Sequence, residues 1–345
     1  MSVSGEARLL SPEAVEWEQA LGQTDHDVYH LPKYVVLEAR MSGGVATAFW
    51  YRENSRILLL PLVLQSIPDS AWSDAASPYG YPAPISNADP SDTGFWLHAC
   101  QAMTRTLFEH GVVTAFVRLH PLLPAPLEVL DQVGTIVHHG ETVSVDLSLS
   151  AEEMWRQTRG GHRREISRAY KANIDIVIDD WKRLDEWLPI YHDNMRRLGA
   201  TQYYFFPAEH LTALHDALGD HIHLVLATGN DGKVLGGNIF FEYRGIIEGH
   251  LASTRREGAS HADKLLYHEV SLWTKSRGNH VYHLGGGLGG ADDALFWYKT
   301  GFSKRTHPFH TWRVVTDRTA FDALLRRKGA DPAATPTSGY FPPYR

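Results

Sequence analysis

The sequence predicts an α/β fold in which helices flank a mixed sheet, and in which that arrangement occurs twice, the first copy degenerate. Three observations predict it. Residues 148–325 read as strand, two helices, three antiparallel strands, helix, strand, helix, strand. Residues 1–147 give a blurred form of the same order without repeating the sequence. The length of 345 residues suits two domains, at roughly 100–200 residues each.

In the second half, Ser150 and Glu153 form a capping box that opens a helix with Trp155 on its apolar side. After Gly160-Gly161 a second helix places Arg164, Arg168 and Lys171 in a stripe at i, i+4, i+7. Asn173 to Ile178 alternates as a strand does. Helices follow over 180–198 and 207–218, then a meander of strands over 222–228, 233–241 and 246–253 with glycine-bearing turns between them. Leu266, Val270 and Trp273 mark the apolar face of a helix over 262–277, which Gly278 ends. A strand over 280–284, a helix over 291–300 and a last strand over 311–316 complete the order. In the first half, helices near 11–20 and 33–41 precede a hairpin (45–51, 56–64). A long loop leads to a helix over 92–110, a strand over 112–118, a short helix near 126–131 and strands to about 147. After Arg326 four prolines predict an extended or mobile tail, 326–345. The order in the second half is that of the GNAT superfamily of N-acetyltransferases, in which substrate lies between the fourth and fifth strands, here 246–253 and 280–284.

Composition narrows the function. Apolar residues at 43% and aromatics at 11% are ample for two cores. The longest apolar run, Ile57 to Leu64, contains Pro61 and falls far short of the about 20 residues of a membrane span. The N-terminus lacks a signal pattern and Cys100 has no partner for a disulfide, so a reducing cytoplasm is the expected compartment. A net charge of −7 argues against DNA or extensive nucleic-acid binding, though it leaves room for a short contact with a tRNA end.

Gly285, Gly287 and Gly290 spell G-x-G-x-x-G, but the following stretch offers no acidic residue for a ribose, so the glycines read as a wide turn or a close approach of backbone to substrate. A phosphate-cradling G-x-x-x-x-G-K-[ST] motif is missing. Histidines recur (His138-His139, His221, His223, His261, His268) without metal-ligand spacing, and no metal is expected. Cys100 on an amphipathic helix reads as a buried thiol. Residues 156–171 carry six Lys or Arg and one Glu, either a solvated helix face or an anion site built on Arg164 and Arg168. Lys299, just past the glycines, is either an exposed residue at a helix end or a fixed cation that stabilises the oxyanion of an acyl transfer. Candidate bases are Glu248, His250, Asp292 and Asp293. Glu248 and His250 share a strand face by period-two spacing, and Asp292 is also a candidate helix cap. Lys299 ranks first, then Asp292, then Glu248.

Five segments resemble the Fem-like, peptidoglycan-bridge-forming branch of the GNAT superfamily: 77–84, 160–174, 194–206, 261–278 and 283–302. The most specific, Trp297-Tyr298-Lys299-Thr300-Gly301-Phe302, is similar to that branch's Phe-Lys-x-Gly-Phe signature and departs from it slightly. The resemblance implies tandem GNAT-like domains, here 1–147 and 148–325, without the coiled-coil arm of some members. It implies transfer of a small amino acid from aminoacyl-tRNA to an amine, with no bound cofactor, the partners being the charged tRNA acceptor end and a cell-wall precursor or natural-product amine. By the same resemblance Lys299 would stabilise the transition state, and Lys33, Tyr79, Arg197 and Tyr204 would lie near the acceptor pocket, with Tyr81, Tyr203 and Phe296 as further substrate contacts. Two alternatives stay open. An acyl-CoA donor would use a pyrophosphate loop for which Arg255, Gly258 and Ser260 are the nearest match, and a non-catalytic GNAT scaffold would have a blocked cleft.

Overall fold

The computed structural model describes residues 5–255, 261–329 and 339–345. The first half forms β1 (Glu6–Leu10), α1 (Val15–Leu21), α2 (Pro32–Ser42), β2 (Val45–Glu53), β3 (Arg56–Ser66), β4 (Ser73–Ala76), β5 (Ile85–Ser86), α3 (Thr93–Glu109), β6 (Val112–Arg118) and α4 (Leu127–Val133). There follow β7 (Thr135–Asp146), α5 (Ala151–Gln157), α6 (Gly160–Lys171), β8 (Asp175–Ile178), α7 (Leu184–Arg197), α8 (Ala208–Leu218), β9 (Ile222–Thr228), β10 (Val234–Tyr243) and β11 (Ile246–Thr254). Last come α9 (Ala262–Ser276), β12 (Val281–Gly286), α10 (Ala294–Lys299), β13 (Arg305–Val315) and α11 (Arg318–Lys328).

Two compact units emerge, Met1–His139 with Pro308–Arg345, and Gly140–His307. In the first, the strands run in the order β1-β2-β3-β4-β6-β13, antiparallel except for the parallel pair β4 and β6. Alternation along β2 and β3 divides its core. Phe49, Leu58, Leu60 and Leu62 pack with Phe95, Trp96 and Met103 of α3. Trp50, Ile57 and Leu59 pack with Trp17 of α1 and Val35 of α2. Cys100 is buried in α3, and burial pushes its thiol up to about 12, so it stays an unreactive core residue.

In the second unit the order is β7-β12-β11-β10-β9-β8, again antiparallel save one parallel pair, β11 with β12. One face takes Leu266 and Val270 of α9 against Val225, Phe240, Ile247 and Tyr282. On α7, the indole of Trp187 donates to the Ser253 carbonyl of β11 at 3.3 Å. The capping box on α5 is present, with the Glu153 amide donating to Ser150 Oγ and the Ser150 amide to Glu153 Oε2.

The units trade their last strands. β7 follows β6 and α4, yet it pairs with β12 through Asp146↔Val281 to Thr142↔Gly286. β13 follows β12 and α10, yet it pairs with β6 through Thr311↔Arg118 to Val315↔Thr114. The expected boundary at 147/148 therefore lies too late, and 308–325 falls in the first unit. A reading along the chain assigns each strand to its sequence neighbours, whereas ladder pairing assigns it to the sheet. The tail is also corrected in part. α11 was not anticipated. Although 330–338 lie outside the described residues, Phe341 and Tyr344 are buried against Phe321, Leu324 and Ile67, and Arg345 Nε meets Asp74 Oδ2 at 2.7 Å.

Candidate active site

The parallel ladder between β11 and β12 is short, with partners Ile246↔Val281, Ile247↔Tyr282 and Glu248↔His283. Just beyond it both strands bulge. On β11, Phe240 pairs with Gly249 and Ile239 with Leu251, which leaves His250 as the extra residue. On β12, His283 pairs with Ser144 and Gly285 with Val143, which leaves Leu284 extra. Gly285 sits at φ 72°, a left-handed conformation that glycine adopts without a steric penalty. The β11–β12 ladder has no partners after Glu248↔His283, and each strand carries its bulge just beyond that pair. The glycine run begins two residues after that last pair.

The side chains of the last pair in the ladder are buried together. His283 Nδ1 and Glu248 Oε2 are 2.7 Å apart, and the two side chains are 0% and 1% exposed. Nearby, α10 starts from Asp293, whose carboxylate accepts the Leu295, Phe296 and Leu288 amides at 2.9 Å each. The Phe296 bond, then those of Leu288 and Leu295 and the Lys299 charge, hold this carboxyl below its usual range. At the other end of α10, Lys299 is 9% exposed and its ammonium donates to the Gly286 carbonyl at 2.7 Å. Burial lowers its pKa from 10.5 to about 8, against the opposing pull of Asp293 and Glu248. The arrangement is a desolvated cation fixed on the end of β12, just past the last pair of the parallel ladder.

α6 braces that cation. His162 Nε2 bonds the Tyr298 carbonyl at 2.9 Å, and its ring packs on Phe302 with centroids 4.8 Å apart. A Cβ on Gly301 would collide with the His162 ring, so only glycine fits there. The Arg159 amide donates to the Gly301 carbonyl at 2.7 Å, and its guanidinium lies over Trp297.

The sequence-predicted residues separate. Lys299 and Glu248 come together. Asp292 is exposed, and the cap is Asp293, so the expected helix over 291–300 begins later, at Ala294. Glu248 is the register partner of Phe241 and the His250 ring lies 4.6 Å from the Phe241 ring, so both stay on one face of β11. The His250 ring packs on Phe241 and Phe206, and burial, then His210, drives its pKa to about 3, leaving a poor base. Phe296 is half-buried against the second unit's core. Arg197 lines a cavity of about 700 Å³ with Pro189, Asp193 and Arg255. Tyr203 packs on Tyr204 and Phe206. Arg164 and Arg168 line a groove along α6. Lys33, Tyr79 and Tyr81 belong to the first unit. There Lys33 is exposed, the Tyr79 carbonyl accepts from Tyr34, and the Tyr81 ring meets Tyr29 and His120. Gly258 and Ser260 lie outside the described residues.

His283 was not singled out from sequence. Its signal was the register of a strand beginning near 281 beside one beginning at 246, which sets 283 opposite 248. Because the Glu248 charge raises the Lys299 pKa, Glu248→Gln should lower it further. The alkaline limb of the activity profile is then expected to fall below about pH 8, which a pH–rate series on the variant measures. An unmoved limb would disconnect the two groups.

A scan of family models finds no match to this sequence, and a search of curated proteins finds none. Solved structures do match. The crystal structure of FemX superposes with a TM-score of 0.68 at 11% identity, covering 88% of this chain and 96% of FemX. L-PGS from Bacillus licheniformis gives 0.59 at 12%, covering 89% and 93%. At such identities the likeness is one of fold: the chain has the fold of FemX and of L-PGS along most of its length.

Proposed function

We propose that this chain is an aminoacyltransferase, moving a small amino acid from aminoacyl-tRNA to the amine of a cell-wall precursor or natural-product intermediate in the cytoplasm. The observation that carries the reading is the buried Lys299 ammonium just past the β11–β12 ladder. The acceptor amine attacks the ester carbonyl, and the oxygen gains charge as the tetrahedral intermediate forms. The tRNA 3′-hydroxyl leaves as the carbonyl re-forms, and the amine gives up a proton. An aminoacyl ester is already activated, so the protein has two tasks, alignment and charge stabilisation. A cation held in a water-poor site, and charged at neutral pH, suits the second. The fold supports the reading by likeness to FemX. The donor rests on the resemblance around Lys299.

The test offers purified protein radiolabelled aminoacyl-tRNA or acyl-CoA, each with candidate amines. Label moving from aminoacyl-tRNA, and lost in Lys299→Met, is the expected result. Transfer from acyl-CoA alone would replace the donor, and transfer from neither would point to the scaffold alternative.

A further inference from the structure

One face of α6 has no role in the site above, and its charges are sorted. Ile166 and Ala169 are fully buried against Leu265 of α9. Glu165, the helix's acidic residue, is turned inward onto Lys264 at 2.8 Å, and Tyr170 is bonded to Glu269. That leaves Arg163, Arg164, Arg168 and Lys171 along a groove of about 460 Å³, closed by Trp155, Gly160 and Ser167. Among the described residues these four cations make no ion pair. The concentration of positive charge stands out in a chain of net charge −7.

The groove also has a direction. α6 is 12 residues long, about 18 Å of axis, and its N-terminal end is the one pinned to α10 by Arg159 and His162. At that end Trp297 is 59% exposed with the Arg159 guanidinium 4.7 Å from its ring centroid. A row of arginines that ends on an exposed, cation-backed indole is the arrangement that follows a single strand's phosphates and stacks its bases. A lipid surface fits less well, because the apolar face of α6 is spent on α9 and cannot insert.

We infer that the α5–α6 groove is an RNA track. It would lead the single-stranded 3′ end of a tRNA along Lys171, Arg168 and Arg164 toward Trp297 and Lys299. This rests on the donor reading above and adds the surface that would receive the donor.

Binding of uncharged tRNA tests it without requiring turnover. Anisotropy titrations over a salt series compare the full chain with Arg164→Glu/Arg168→Glu and with Arg40→Glu/Arg105→Glu. The second double variant changes the net charge equally at exposed positions of the first unit. The groove variant should lose at least about 10-fold in affinity, and its slope of log K against log salt should shrink by about 2. The control should match wild type, and Arg164→Lys/Arg168→Lys should recover most of the binding. Equal losses in both Glu variants, an unchanged groove variant, or wild type sedimenting with phosphatidylglycerol vesicles while ignoring tRNA would each overturn the track. Wild type that binds tRNA through the groove yet transfers nothing from aminoacyl-tRNA would instead overturn the donor reading. Transfer that proceeds with tRNA affinity indifferent to Arg164 and Arg168 would overturn the track alone.

Discussion

Replacing Lys299 with methionine should lower turnover by about 10²–10³-fold, the usual loss when one oxyanion-stabilising group is removed, and should leave the protein more stable. Activity falls because the carbonyl oxygen loses its only proposed cation. Stability rises because a lysine lowered from 10.5 to about 8 is charged at neutral pH at a cost of about 3 kcal/mol. The unfolded chain binds that proton more tightly than the folded one. The cost is therefore full below about pH 8, shrinks as pH rises toward 10.5, and is gone above it. Methionine fills similar volume without the ammonium. Denaturant midpoints at pH 7 and pH 10, beside single-turnover rates, measure both halves. A variant with normal turnover, or one less stable at pH 7 than wild type, would reject the role.

A fragment spanning 148–325 should fail to unfold cooperatively, although sequence boundaries select it as a domain. It lacks β7, and with it Val143, Val145 and Leu147 of the second unit's core. Burying each such side chain contributes roughly 1.5–3 kcal/mol, and their sum rivals the 5–15 kcal/mol that holds an ordinary domain. The fragment also keeps β13 without β6, its ladder partner, and so exposes an unpaired edge prone to association. A fragment spanning 140–307 holds the whole β7-β12-β11-β10-β9-β8 order and should show a single cooperative transition by circular dichroism. Equal behaviour of the two fragments would show that the traded strand contributes little.

Much of this fold was legible because local signals were strong. The predicted strand over 222–228 is β9, residue for residue, and α3 and α9 fall within a residue or two of expectation. Each is long and periodic or bounded by turn residues. β1 and α11 escaped because one is a short stretch of mixed polarity and the other lies where prolines begin to dominate. In the site, Lys299 was legible because it is the one lysine between the glycine run and Phe302. The Glu248–His283 pair was not, since a hydrogen bond between neighbouring strands depends on register, which a single strand's pattern does not state. The bulge at His250 was not legible either, since a one-residue insertion leaves no mark in hydropathy.

The traded strands also set an order in time. During synthesis, β7 emerges well before the sheet it will join, and can wait for β12. β13, which completes the ladder on β6, emerges only after every strand of the second unit has been made. However early the first half collapses, the whole second unit must be synthesised before the first sheet gains β13. The half of the protein that is made first is thus completed last, and a premature stop anywhere before Arg305 would leave both β6 unpaired on that side and the nascent chain a substrate for chaperones.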